Sequence, residues 1–404
     1  MRIVTTVLTV LLLASLGGAE ESLHERVDEA IDRGVAYLKK RGPKGDFGRI
    51  GGERNYEGGT DVYRYPHGCT ALALLTLLKC GVPADDPIVK AGFAHLEKLG
   101  RIPASTYEIA TLILALEART NRVKRERKLE SIRRMRAKPG EQVDLRIKLP
   151  GRDKAWMTSL TKALLQRWDN GAWRYGLPSK VSTGDHDMSN TQYAMMALYT
   201  AWRCGVKVPP RTIQKTMIWT LDQQETTGPE HPRYVPKSAD REYAPPIDRA
   251  RGWCYIKGSP HSRDGRVTGS MTTGGLIVLI TGRAILRDRS PRLLKQISAR
   301  TETGIHDGLA WLDRHWSVIV NPPLADFYVQ MYLYGLERVG DLLRVHLIGR
   351  HDWYREGAEA LVESQHGEGQ WYSSGSHQPK SLLSTCFALL FLERATLAAT
   401  TKRD

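Results

Sequence analysis

Hydrophobic and polar positions divide the chain into two alternating helical patterns. One is amphipathic, with Lys, Asp and Glu on one face, and is expected at about 24–39, 86–99, 153–167, 210–224, 303–316 and 352–365. The other is apolar nearly all round and is expected at Thr70–Cys80, Ser105–Ala118, Ser189–Cys204, Ser270–Leu286, Asp326–Val339 and Ser381–Arg394. A helix apolar on every side must be enclosed on every side, so the second set belongs inside a shell formed by the first.

The amphipathic set carries an internal repeat. Gly34, Gly92, Gly308 and, more loosely, Gly357 stand at one place in similar segments, exemplified by Ile31–Leu38 and Ile305–Leu312. A mid-helix glycine costs about 1 kcal/mol relative to alanine, so its recurrence points to close approach by a neighbouring helix. Short connections make neighbouring helices antiparallel, and six such pairs bury both ends of the stack only by closing. The expected fold is an all-α (α/α)6 toroid of six outer and six inner helices, one domain over 20–404. Long loops from outer to inner helix gather at one rim, where sites are usually built.

The stretch 184–206 concentrates that arrangement. Asp185, His186 and Asp187 form an acidic mouth before the third inner helix, where Ser189 as N-cap and Gln192 three residues later suggest a capping box. Ser105 and Glu108 suggest another; that pair reads as a cap before it reads as a catalytic pairing.

Composition refines this picture. Of 404 residues, 41% are hydrophobic and 25% charged, an ordinary globular balance. Residues 1–19 combine Arg2, an apolar run and small residues at Gly17–Ala19, the form of a cleaved signal peptide, with an uncleaved N-terminal anchor as the alternative; the expected location is periplasmic or secreted. No later segment is expected to span a bilayer. The formal charge of +15 is concentrated in an insert at about 119–153, where Arg119–Lys154 holds fourteen Lys/Arg against five Asp/Glu. Such an insert is either a solvated face or a contact for an anionic surface such as lipid or acidic glycan. No nucleic-acid motif occurs. Five cysteines, an odd number in a long chain, read as buried thiols rather than a disulfide framework.

Gln365 to Trp371 has the form Q-x-x-x-G-x-W, and Gln166 to Trp173 the same with one residue more. With the alternating helices, these segments resemble the repeats of the squalene cyclase and protein prenyltransferase superfamily, in type the secreted bacterial prenyltransferase and squalene-oxidase repeat proteins. The resemblance covers nearly the whole chain. It implies the α-α toroid, a structural role for Gln365, Gly369 and Trp371, and an aromatic cavity that shelters an isoprenoid. The chemistry does not carry over whole. Where protonating cyclases have Asp-x-Asp-Asp before an inner helix, Ser189 and Asn190 stand at the last two positions. The Asp-x-Cys of zinc-dependent prenyltransferases is absent, so no cofactor and no metal site are expected.

Asp185 and Asp187 are the candidate catalytic residues. The candidate ligand-binding residues are Trp173, Tyr175, Asp187, Asn190, Trp253, Tyr255, Met271, Thr272, Tyr328 and Trp371, all in rim loops or at inner-helix starts. Three function classes stay open: an isoprenoid-binding or isoprenoid-processing toroid, a non-catalytic protein-interaction scaffold, and a polysaccharide lyase or glycosidase acting on an acidic glycan.

Overall fold

The computed structural model describes residues 23–48, 66–120, 147–176, 186–234, 245–260, 265–325, 327–372 and 380–398. The expected signal segment, most of the basic insert (121–146) and Asp185 lie outside the described residues.

Outer and inner helices alternate along the chain. Helix α1 (residues 23–41) leads to α2 (Gly68–Lys79), and α3 (Pro87–Leu99) to α4 (Thr106–Ala118). Helix α5 (Gly151–Gln166) leads to α6 (Met188–Arg203), and α7 (Pro210–Gln223) to α8 (Gly269–Arg289). After the short α9 (Pro291–Lys295), α10 (Ser298–Arg314) leads to α11 (Val329–Leu343), and α12 (Trp353–Ser364) to α13 (Lys380–Ala398). The inner helices pack in chain order, α2 on α4, α4 on α6, α6 on α8, α8 on α11 and α11 on α13. Helix α13 returns to α2 and closes the ring. The outer helices pack against this ring from outside, α5 in the groove between α4 and α6, α12 between α11 and α13. This is the (α/α)6 toroid expected from the alternation. Helix α8 is long and apolar enough to cross a membrane, but it forms part of the inner wall and is largely buried. Two short antiparallel ribbons, β1 (Glu230–Pro232) with β2 (Ile247–Arg249) and β3 (Leu347–Ile348) with β4 (His351–Asp352), are the strands among the described residues.

A repeated wedge joins α5 to α6, α7 to α8 and α12 to α13. The indole N–H of Trp173 donates to Leu164 O at the end of α5, that of Trp253 to Thr220 O in α7, and that of Trp371 to Leu361 O in α12. The backbone N–H of each tryptophan donates to a threonine near the start of the next inner helix, Thr191, Thr272 and Thr385 respectively. Phe47 and Thr70 repeat the same backbone bond before α2. All three tryptophans are fully buried. The ring of Trp253 lies against Gly275 of α8 and Gly308 of α10, where a Cβ at Gly308 would sit 2.8 Å from the ring. The other recurrent outer-helix glycines play the same part: Gly34 faces Leu389, Gly92 faces Leu74 and Gly357 faces Phe391. Close approach is thus the reason for the glycine repeat.

The N-terminal ends of the inner helices share one rim, and those of α4, α6 and α8 are sealed by the loop of the next repeat. Thr106 N–H donates to Tyr175 O at 2.8 Å, Met188 N–H to Tyr255 O at 3.0 Å, and Gly269 N–H to Pro322 O at 2.7 Å. At α11 a side chain takes over, Gln330 Nε2 donating to Tyr372 O at 3.0 Å. Backbone donors that a helix leaves unpaired at its start are satisfied by these loop carbonyls. The seam between last and first repeat is held by Gln365, whose amide donates to Ala30 O at 2.9 Å and Gly369 O at 3.0 Å and accepts from Arg33 at 2.5 Å. Gly369 has φ +93 and lies against the Arg33 carbonyl, so only glycine fits there.

Candidate functional site

The rim brings Asp187, Tyr255, Tyr175 and Tyr107 together. Asp187, not Ser189, is the N-cap of α6, in extended backbone just before the helix. Its Oδ1 accepts from Asn190 N–H at 2.7 Å and its Oδ2 from Asn190 Nδ2 at 2.8 Å. Aspartate and serine cap equally well, so the expectation for Ser189 fails by a two-residue choice of equivalent caps, and Gln192 lies past the third helical position. The expected box at Ser105 and Glu108 is present at α4 with both of its bonds.

Tyrosine hydroxyls surround the carboxylate. Tyr255 lies near enough to Asp187 and Tyr175 to affect their titration, as Tyr107 does that of Tyr175 and Ser189 that of Tyr107. The rings of Tyr107 and Tyr175 lie 5.2 Å apart, those of Tyr107 and Tyr193 5.1 Å. Asp187 is 2% exposed, whereas Tyr175 is 41% exposed, so these groups extend from a buried acid to solvent. Burial pushes the Asp187 carboxyl up to about 6, against the lowering effect of hydrogen bonds from Asn190, Tyr255 and the Ser189 backbone. Burial and the Asp187 charge push Tyr107 well up, and burial raises Tyr175 and Tyr255 as well. An acid near 6 suits proton transfer to or from an O–H or an activated C–H at neutral pH. Protonating an unactivated alkene asks for a much stronger acid, and the neighbours of Asp187 are hydroxyls and amides, which supply no such strength.

Below the rim the axis is apolar and aromatic. Leu114, Met331, Leu383 and Phe387 keep part of their surface accessible although outer helices cover their own helices from outside. Tyr334 stacks on Phe387 at 5.7 Å and also acts electrostatically on Tyr193. Helices α6 and α11 are not neighbours in the ring, so Tyr193 and Tyr334 act on each other electrostatically from non-adjacent walls. Both lie five residues into their helices, about 8 Å below the rim at 1.5 Å per residue. They form a layer beneath the acidic mouth.

The expected site residues therefore divide. Asp187, Asn190, Tyr175 and Tyr255 come together. Tyr328 stands at the same rim in left-handed conformation, 51% exposed, and influences Tyr175. Trp173, Trp253 and Trp371 are placed in the wedges with their indole N–H groups on outer-helix carbonyls, while the Trp173 carbonyl accepts from Asp187 N–H at 3.3 Å. Thr272 is fully buried and accepts from the Trp253 backbone, and Met271 is buried in the first turn of α8. These five belong to the framework: a loop tryptophan here is held by the outer-helix carbonyl it was built to meet. Tyr107, Tyr193 and Tyr334 were not among the expected residues. Tyr107 sits inside the capping box, which accounts for its neighbours without assigning it a role.

Beside the mouth, Asp169 binds Arg174 at 2.9 Å and His186 at 3.3 Å. Glu108, buried beneath, would be raised by burial, but bonds from His67 and Ser105 hold it below the usual carboxylate value. All five cysteines are free; burial pushes Cys69 and Cys386 up to about 12. Among the described residues no three His, Cys, Asp or Glu side chains are grouped to hold a metal.

Fold and rim define a class: an all-α (α/α)6 toroid with a tyrosine-rich acidic mouth. Among solved structures the chain is similar to the type II terpene cyclase MstE from Scytonema in its apo form. Identity is 10% and TM-score 0.33, over 92% of this chain and 98% of that one. Similar too are MstE variants in complex with geranylgeranyl dihydroxybenzoate (substrate), at 10% identity, and with merosterolic acid A (product), at 11%. Each has a TM-score of 0.33 and covers 93% of this chain and 99% of the other. At that identity and superposition the likeness supports no conclusion about activity. No family model matches the chain, and no curated protein does.

Proposed function

We propose that the protein binds an apolar ligand of isoprenoid type at its axis, with the ligand's polar end against Asp187 and its tyrosines. The observation that carries this reading is the pairing of two environments: a buried carboxyl raised toward neutrality at the start of α6, and apolar, partly accessible Met331, Leu383 and Phe387 with Tyr193 and Tyr334 in the first turns of the inner helices. Apolar walls with a few convergent polar groups are the usual form of a small-molecule site. The raised carboxyl also favours a catalytic form of the same reading, in which Asp187 exchanges a proton with the bound ligand and Tyr255 and Tyr175 pass it to the rim. The leader-like segment 1–19 supports a periplasmic or secreted site of action, and the basic insert supports contact with an anionic surface there.

Organic extraction of the purified full chain, followed by lipid mass spectrometry, tests the binding reading. A co-purifying polyprenyl species, absent from an Asp187→Lys preparation, is expected. An extract free of apolar small molecules, together with no uptake of added prenyl compounds, overturns it.

A further inference from the structure

We infer that an outer groove, between α5 and the turn into α7, binds one chain of an acidic polysaccharide whose sugar rings carry carboxylates. The groove lies outside the ring and does not rest on the axial reading. Helix α5 packs on α4 and α6, and α7 packs on α8, which leaves a gap in the outer wall. The gap holds a groove of about 490 Å³, lined by one face of α5 and by Gly205–Lys207. Thr161, Leu165 and Val206 form its floor. Beyond Gln166, Trp168 ties α5 to α7: its indole N–H donates to Thr216 at 3.0 Å, and the Lys215 ammonium lies 5.8 Å over its ring.

Charge marks this groove. Lys154 and Lys162 stand on one face of α5 with Thr158 between them at the helical spacing of four. Lys154 reaches the turn, where a Cβ at Gly205 would sit 3.4 Å from its ammonium. On the other edge Lys207, Arg211 and Lys215 follow one another at the same spacing. All five are exposed, and among the described residues none is paired with a carboxylate. The neighbouring acids are engaged elsewhere: Asp153 with Arg119, Glu97 with Arg152 and Asp222 with Arg300. Cations of one sign along a cleft focus its field and draw a polyanion. The basic insert re-enters the fold beside the groove at Ile147, whose N–H donates to Arg203 O at 2.8 Å, and its like charge disfavours it as the occupant.

Shape and lining select among polyanions. A flat bilayer meets the lysine tips but not the floor of a groove. An amphipathic helix docks through a row of apolar anchors, and two aliphatic side chains, Leu165 and Val206, are too few. Thr158, Gln166 and the flexible lysine stems suit a chain of sugar hydroxyls and spaced carboxylates.

The experiment follows end-labelled octagalacturonate binding to the full chain by fluorescence anisotropy, with maltooctaose, polyglutamate and phosphatidylglycerol vesicles as competitors. Octagalacturonate is expected to bind, more weakly as salt rises, and maltooctaose not to compete. Lys162→Glu combined with Lys207→Glu should weaken binding at least about tenfold. Lys40→Glu combined with Lys44→Glu, an equal charge change at exposed positions by α1 on the far side of the ring, should weaken it less than about twofold. Equal losses in the two double variants overturn the groove as the site. Tighter binding of polyglutamate or of the vesicles overturns the polysaccharide class. No binding of octagalacturonate at low salt overturns the inference outright, a comparison that needs only the unmodified chain.

Discussion

Asp187 holds two roles that pull against each other, cap and acid. Its folded value of about 6 lies above the ordinary 3.8, so its favourable contribution is complete below about pH 4 and is lost as pH rises through 6. The difference amounts to about 3 kcal/mol. Asp187→Asn keeps a good N-cap and removes the titration. Between pH 4 and pH 8, wild type should therefore lose stability relative to the variant in urea denaturation, by roughly that amount. Parallel pH curves would show that the carboxyl is not raised. Tyr255→Phe removes a hydrogen bond that lowers the carboxyl, so the midpoint of this loss should move to higher pH. At this scale the sequence marks Asp187 and Asn190 by their place before an apolar helix. It cannot choose between Asp187 and Ser189 as the cap, nor pick Tyr107 out of a capping box, because both decisions depend on loops from the next repeat.

The wedge recurs in the α5–α6, α7–α8 and α12–α13 pairs, and it explains why loop tryptophans are misleading in a sequence. Trp173, Trp253 and Trp371 stand at the rim along the chain, yet the indole N–H of each is held by a carbonyl of the preceding outer helix. The partner threonines lie 18, 19 and 14 residues further on, an irregular spacing that hides the repeat. Glycine was the clearer signal: Gly34, Gly92, Gly308 and Gly357 mark where outer and inner helices nearly touch. Thr272→Val should destabilise the fold by about 1–3 kcal/mol by stranding the Trp253 N–H, without changing ligand affinity. Gly308→Ala should cost a similar ~1–3 kcal/mol, because its Cβ meets Trp253 and Leu276, which are both fixed in the core. Urea denaturation measures both, and a weakened ligand affinity in a stable Thr272→Val protein would return that residue to the site.

Closure turns six helix pairs into one molecule. The alternation of apolar and amphipathic helices makes the ring legible in the sequence, whereas the filling of its axis depends on which inner-helix faces meet, a matter of rotation that periodicity leaves open when a helix is apolar all round. Helix α13 completes the wall between α11 and α2, and Gln365 ties the last loop to α1. A chain ending before residue 380 should expose apolar flanks of α2 and α11 and lose cooperative unfolding, read by calorimetry. The central claim is that the space between the acidic mouth and the Tyr193–Tyr334 layer receives an apolar ligand. Met331 stands on α11 one turn before Tyr334, with part of its surface accessible. The direct measurement is farnesol affinity for Met331→Trp against wild type, with helicity and melting temperature recorded for both. A folded variant whose affinity falls at least about tenfold, about 1.4 kcal/mol, is the predicted result; a folded variant that binds farnesol as tightly as wild type would contradict it.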